Sequence, residues 1–326
     1  MKMRFVIATI LIVLAVEALL LVPAFLFTPL GPGIQNYISP PPTPTPHPIL
    51  TAKGTPPAFN AKAAYLLDAD TNRMLADVNG EQRLPMASTT KIMTALIALE
   101  KADPEQMVTI KQGDIDEAKN NNGSNAQLVV GDKIRMVDLV YALLLPSGDD
   151  AAMAISEAIS GTQANFVKLM NDYSHQLHLA QTHYINADGL TYKLPDGKLD
   201  ANYTSAADLA QLTRIALHNE RFAQIVQLQK FELLANPDHH HYVWETTNLL
   251  LGLYPGTLGV KTGFTEEAGY CLVFAASNAG HHLIGIILNT KTPDERVTDA
   301  RMLLDWGFTL PMLPPPPTPT PVNKAA

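Results

Sequence analysis

A single cysteine, Cys271, stands among 326 residues, so no intramolecular disulfide can form and no cysteine-based zinc cage can be built. Its apolar, β-rich surroundings predict a small buried side chain rather than a reactive thiol. Blocks of Lys and Arg are lacking too. With a formal charge of −8 the chain offers no electrostatic footprint to a phosphate backbone, which argues against nucleic acid as a partner. No His-Glu-x-x-His pairing occurs. The adjacent histidines His239, His240 and His241 follow Asp238, and neighbouring side chains diverge on a strand or loop, so a polar surface loop is predicted there and no metal.

What is present begins with an apolar run. Residues 1–28 open with Lys2 and Arg4 and continue apolar apart from Glu17, the pattern of an export segment long enough to anchor in a membrane with its positive end inside. Val22-Pro23-Ala24 also fits a small-residue cleavage site, so a cleaved signal is the alternative. Residues 29–58 contain Ser39-Pro40-Pro41-Pro42-Thr43-Pro44-Thr45-Pro46, which lacks the side chains to pack and predicts an extended polyproline linker. A similar Pro/Thr-rich tail occupies 311–326. Between them, 59–310 is long enough for one large globular domain.

Within that domain, Ala63 to Asp68 and Arg73 to Asp77 flank an Asp70-Thr71-Asn72 turn signal and predict a hairpin. From about Thr89 to Phe231 helical periodicity dominates, with Leu139, Leu143 and Leu144 on one face. Strands return at Tyr270 to Ala276 and Leu283 to Leu288, and Arg296 to Trp306 reads as a closing amphipathic helix. Strands at both ends and helices between them imply an α+β fold whose terminal segments share one sheet.

Three short signals carry chemistry. Ser88-Thr89-Thr90-Lys91 opens a helical run after Pro85; residues three apart share a helix face, so Lys91 can reach the Ser88 hydroxyl as nucleophile and base. A Ser and a Lys at this spacing arise by chance roughly once in such a chain, and an N-cap followed by a solvated lysine is the bland reading. Ser147-Gly148-Asp149 ends an apolar helix where the chain turns, and alone is no more than a turn. Lys261-Thr262-Gly263 precedes a predicted hairpin, with a chance frequency of roughly one in ten or less. Gly263 keeps one cleft wall thin, while Lys261 and Thr262 offer charge and a hydroxyl to a carboxylate.

Taken in this order, the signals resemble the Ser-x-x-Lys, Ser-x-Asn and Lys-Thr-Gly set of penicillin-binding proteins and serine β-lactamases. Pro85 to Ala95, Asn186-Ala187-Asp188-Gly189-Leu190 and Val260 to Tyr270 are further similar to the low-molecular-mass D-alanyl-D-alanine carboxypeptidases, peptidase family S11, over nearly the whole of Ala63 to Phe308. The resemblance implies the DD-peptidase/β-lactamase-like fold: an antiparallel sheet flanked by helices, with an inserted, mostly helical subdomain. It implies that Ser88 attacks the penultimate D-Ala carbonyl of a peptidoglycan stem peptide, that Lys91 takes the proton, and that Ser147 relays one to the leaving D-alanine. It assigns the oxyanion hole to the backbone N–H groups of Ser88 and Phe264, and the substrate carboxylate to Lys261, Thr262 and Arg296. β-Lactams would acylate Ser88, no cofactor is needed, and the enzyme would work at the outer face of the bacterial membrane. The β-rich C-terminal domain and anchoring helix usual in the family do not follow here.

The departure is Asp149, where the family has Asn. An ionised Asp accepts but cannot donate, and beside Lys91 it would oppose loss of the lysine proton by about 4 kcal/mol at about 4 Å and an effective dielectric near 20. The expectation is that Lys261 absorbs much of this charge, giving an active, alkaline-shifted enzyme. Two other functions share the signals. A β-lactamase needs a deacylating base, and no Glu-x-x-x-Asn element follows Ser147. A tethered penicillin or muropeptide sensor would need no turnover, and D-alanine release separates it from an enzyme.

Overall fold

In a computed structural model, residues 49–313 are described. The expected anchor at 1–28, the linker up to residue 48 and the tail from residue 314 lie outside the described residues. Five strands, β1 (Ala63–Asp68), β2 (Arg73–Val78), β3 (Thr257–Thr265), β4 (Gly269–Asn278) and β5 (His281–Thr290), form one sheet in the order β3-β4-β5-β1-β2. Every neighbouring pair is antiparallel. The first hairpin and the last strands thus share one sheet, as their apolar patterns imply. β1 is buried at all of its positions, because it lies inside the sheet with both faces covered. β2, at the edge, exposes its first two residues.

Two apolar layers clamp the sheet. On one face Leu66, Leu283 and Phe274 pack against Leu303 and Leu304 of the last helix, each buried leucine contributing about 1.5–3 kcal/mol. On the other face Leu67, Ile284 and Ile286 meet the helical region. That region holds α1 (Lys91–Lys101), α2 (Gln112–Asn120), α3 (Met136–Leu144), α4 (Asp149–Ser160), α5 (Gln163–Gln176), α6 (Ala206–Leu217) and α7 (Glu220–Val226). Helix α1 is buried from Lys91 to Ala98, the pattern of a helix surrounded by others. The last helix, α8 (Pro293–Phe308), begins with a capping box in which Thr292 and Glu295 satisfy each other's backbone N–H, with Pro293 at its start; this is why it starts before the expected Arg296.

The fold extends outside the expected 59–310 range. Ile49–Leu50 pairs with Met312–Leu313 in a short antiparallel ladder, and Leu50 is buried. A two-residue ladder has no periodicity for a sequence reading to detect. Among the described residues no helix is long and apolar enough to cross a membrane. His239, His240 and His241 diverge as expected. His240 faces Asp132 at 2.8 Å, His241 faces Glu232 at 2.8 Å, and His239 meets Asn236 at 2.9 Å.

Candidate active site

Ser88 sits on a tight turn forced between two packed elements. Residues Ala87–Thr90 form a 3-10 turn leading directly into α1, so the expected first helical turn is tighter than an α-helix. Ala87 adopts a left-handed backbone with φ of 47°, a conformation that costs a residue with a side chain on the order of 1–3 kcal/mol. The surroundings hold it there. Thr89 Oγ1 donates to the Met86 carbonyl at 2.7 Å, Asn202 Nδ2 donates to Thr90 Oγ1 at 2.9 Å, and Thr94 Oγ1 donates to the Ala187 carbonyl at 2.6 Å. Gly189, with φ of 95°, lies against the same turn, where a Cβ would stand 2.1 Å from the Ala87 carbonyl oxygen. Only glycine fits there.

Lys91 is fully buried beneath the turn. Its Nζ donates to Ser88 Oγ at 2.9 Å, to the Asp188 carbonyl at 2.7 Å, and to Asp149 Oδ1. Those three bonds use all the donors of an ammonium. The Ser88 hydroxyl is thus one of three oxygens gathered around the lysine nitrogen.

Ser147 and Asp149 come from the junction of α3 and α4. Ser147 is left-handed, with φ of 68°. Its hydroxyl is buried and has no hydrogen-bond partner among the described residues. Asp149 begins α4, whose positive end favours a negative charge, and its backbone N–H donates to the Ser124 carbonyl at 2.9 Å. Burial pushes the Asp149 carboxyl up, against opposition first from Lys91 and then, more weakly, from Lys261. The expectation that Lys261 takes up the Asp149 charge is therefore corrected. The carboxylate is bonded to Lys91, whereas Lys261 Nζ donates to the Thr262 carbonyl at 3.0 Å. The geometric reason is that Lys261 reaches the groove from β3, while Asp149 lies directly against α1.

Edge strand β3 forms the other wall. Thr262 is tied to Thr247 through their hydroxyls at 2.5 Å. Gly263 passes so close to the Ser88 turn that a Cβ would lie 3.2 Å from Ser88 N. Burial and the nearby positive charge of Lys91 push Lys261 well below the ordinary lysine range. Phe264 is half exposed and stacks on Tyr270 with ring centroids 4.3 Å apart. Arg296 projects from α8 under the strand, donating to the carbonyls of Cys271 at 3.3 Å and Gly263 at 3.5 Å, with Tyr270 beneath its guanidinium. Its Nε is buried without a partner among the described residues.

A cavity of about 310 Å³ is lined by Ser88, Ser147, Asp149, Thr262, Gly263, Phe264 and Arg296, together with Asn122, Gly123 and Ser124. The three sequence signals therefore meet in one groove, with Lys91 and Lys261 buried beneath it, and the 120–124 loop lies at its rim. The chain matches the sequence profile of the D-alanyl-D-alanine carboxypeptidases, peptidase S11, over residues 51–292. It belongs to that family. The family's Bacillus subtilis member DacF is 33% identical over 252 residues, covering 77% of this chain and 63% of that protein. The D-alanyl-D-alanine carboxypeptidase of Streptomyces sp. strain K15 is 34% identical over 268 residues, covering 78% of this chain and 90% of that one. Among solved structures, the Streptomyces K15 DD-transpeptidase superposes with a TM-score of 0.72 at 33% identity, covering 79% of this chain and 100% of that chain. Penicillin-binding protein 6B of Escherichia coli gives 0.70 at 29% identity, covering 81% and 82%.

Two residues that border the S11 groove escaped the sequence reading. Asp188 supplies the carbonyl for Lys91 and is fully buried; burial pushes its carboxyl up to about 7, with the Asp149 charge adding and Lys91 opposing. Its signal is the stretch Asn186-Ala187-Asp188-Gly189-Leu190, which carries the family resemblance without pointing to a role for the aspartate. Thr247, which fixes the Thr262 hydroxyl, lies in a loop without any pattern.

Proposed function

We propose that this chain is a serine D-Ala-D-Ala carboxypeptidase that removes the terminal D-alanine from peptidoglycan stem peptides through an acyl-enzyme on Ser88, and that penicillins acylate the same hydroxyl. The observation that carries the reading is the 2.9 Å contact between Ser88 Oγ and Lys91 Nζ on the floor of a groove walled by β3. In this reading Lys91, once neutral, accepts the Ser88 proton as Oγ attacks the penultimate D-Ala carbonyl. The developing oxyanion is held by the backbone N–H groups of Ser88 and Phe264, at the positive end of α1. Ser147, whose hydroxyl has no hydrogen-bond partner among the described residues, relays the proton held by Lys91 to the departing D-alanine nitrogen. Lys261, Thr262 and Arg296 hold the substrate's free carboxylate, with Gly263 leaving room for its backbone beside the strand.

Water then attacks the acyl carbon, Ser88 leaves as the alcohol, and the shortened stem peptide is released. Asp149 opposes the first step by holding the Lys91 ammonium, so the enzyme works best on the alkaline side. The apolar segment at 1–28 would tether it at the outer face of the bacterial membrane. A second acceptor is favoured by the solved Streptomyces K15 relative, a DD-transpeptidase: an amine in place of water would give a cross-linked product.

The test is mass spectrometry after incubation with labelled penicillin and, separately, with stem pentapeptide with and without an amine acceptor. The expected results are one penicilloyl group on Ser88 and stoichiometric release of D-alanine, with none of either in Ser88→Ala. Label on another residue, or binding without D-alanine release, would refute the proposal. Rapid continuous nitrocefin turnover would instead indicate a β-lactamase.

A further inference from the structure

Two hairpin turns meet at the end of the sheet away from the Ser88 groove. The β1–β2 turn brings Asp68 and Asp70, and the start of β5 brings His281 and His282. His281 is 4% exposed and Asp68 is fully buried. The His281 ring is bracketed by two carboxylates, with Nε2 3.3 Å from Asp68 Oδ1 and Nδ1 3.6 Å from Asp70 Oδ2. Neither approach is aligned as a hydrogen bond. Nε2 is left as a buried nitrogen with no hydrogen-bond partner among the described residues. One donor atom each from Asp68, Asp70 and His281 lies within 4.8 Å of the others.

A buried imidazole nitrogen that lies 3.3 Å from a carboxylate without bonding it is an unfilled polar site, and native interiors rarely leave one. In this orientation Nε2 serves neither as a donor to Asp68 nor as a ligand. A rotation of the His281 ring that turns Nε2 toward the carboxylates would let a cation between the groups fill the site. Metal–nitrogen and metal–oxygen bonds of about 2.0–2.2 Å put neighbouring donors about 3–4 Å apart, so three donor atoms within 4.8 Å of one another surround an ion once they close by about 1 Å and the ring turns. We propose that Asp68, Asp70 and His281 form a binding site for a divalent transition-metal ion of the zinc class.

The chemistry of the donors selects the ion. One imidazole with two carboxylates suits zinc, cobalt or manganese, whereas calcium and magnesium prefer oxygen alone. Outer contacts are already in place. His282 donates its backbone N–H to Asp70 Oδ2 at 2.8 Å and sets its Nδ1 2.9 Å from Asp70 Oδ1. The backbone N–H groups of Asp70 and Thr71, and the Thr71 hydroxyl, all donate to Asp68. Partners of this kind orient a carboxylate for a metal. A route from solvent exists as well, since Asp70 and His282 line a cavity of about 240 Å³ between the sheet and α6–α7. The site would pin the β1–β2 turn to β5, remote from the acylation chemistry.

The test uses the full chain after treatment with chelator. Titration with Co²⁺ should give visible ligand-field absorption saturating at one ion per chain, and Zn²⁺ should displace it while Ca²⁺ does not. His281→Gln and, separately, Asp70→Asn should abolish that absorption, and His282→Ala should weaken binding about 10- to 100-fold. Near-UV circular dichroism checks that each variant is folded. Replacing His239, His240 and His241 together by Gln should leave the signal intact, since those rings face other partners. Absence of saturable Co²⁺ binding in the unaltered chain would overturn the proposal, and so would binding that persists in a folded His281→Gln variant.

Discussion

Replacing Asp149 by Asn removes one negative charge from beside Lys91 without changing the size of the side chain. In the unaltered protein the Lys91 ammonium donates to Asp149 Oδ1 as well as to Ser88. The pair can hold its proton on either partner, but the base function requires that Lys91 be neutral when Ser88 attacks. A contacting carboxylate favours the charged lysine. Opposite unit charges about 4 Å apart at an effective dielectric near 20 attract by about 4 kcal/mol, which sets the scale of the restraint that the substitution removes. Burial acts against this by pushing the Asp149 carboxyl itself up. The acid limb of the acylation profile should accordingly move to lower pH in Asp149→Asn. Acylation by a fluorescent penicillin, followed by stopped flow across pH, measures this limb.

The same change should move Lys261 in the same direction, with the opposite consequence for function. Asp149 raises Lys261 against burial and the Lys91 charge, so its loss lets Lys261 become neutral at lower pH. Carboxylate binding should then weaken earlier on the alkaline side, seen as a rise in KM rather than a fall in kcat. Superimposable acid limbs for the two proteins, with both fully acylated at Ser88, would refute the assignment of Lys91 as the base restrained by Asp149.

Gly189→Ala should lose penicillin labelling and lower stability on the order of 3 kcal/mol, because a Cβ would meet the Ala87 carbonyl at 2.1 Å; an unchanged denaturation midpoint would contradict the packing described. Asp114, in the first turn of α2, is pushed up to about 6 by burial, and one of its oxygens has no hydrogen-bond partner among the described residues. A raised carboxyl stabilises the fold fully below its ordinary value near 3.8 and loses that contribution as pH rises through about 6. Asp114→Asn should therefore raise the melting temperature at pH 7–8, by roughly 2–4 °C per kcal/mol gained, and leave it unchanged at pH 4.

Much of this architecture could be read from residue order alone. The sheet strands announce themselves because β4 and β5 are nearly continuous apolar runs bounded by turn residues, and Ser88 to Lys91 carry a spacing that directly fixes a contact. Contacts across hundreds of residues are different. Lys91 meets Asp149 and Asp188 through the packing of α1 against α4 and the 186–190 loop, and no local pattern says which of two lysines a carboxylate will choose. Thr247, the short ladder at Ile49–Leu50, and the left-handed Ser147 are likewise products of tertiary packing. Each has a side chain that would be unremarked in a turn or a strand end.

The pairing of Ile49–Leu50 with Met312–Leu313 has a mechanical consequence. Entry and exit of the folded unit lie side by side, so tension applied between the two flanking Pro/Thr tracts loads that small ladder first. It would peel open rung by rung while the five-stranded sheet, and the acylation groove along its edge, stay out of the line of force.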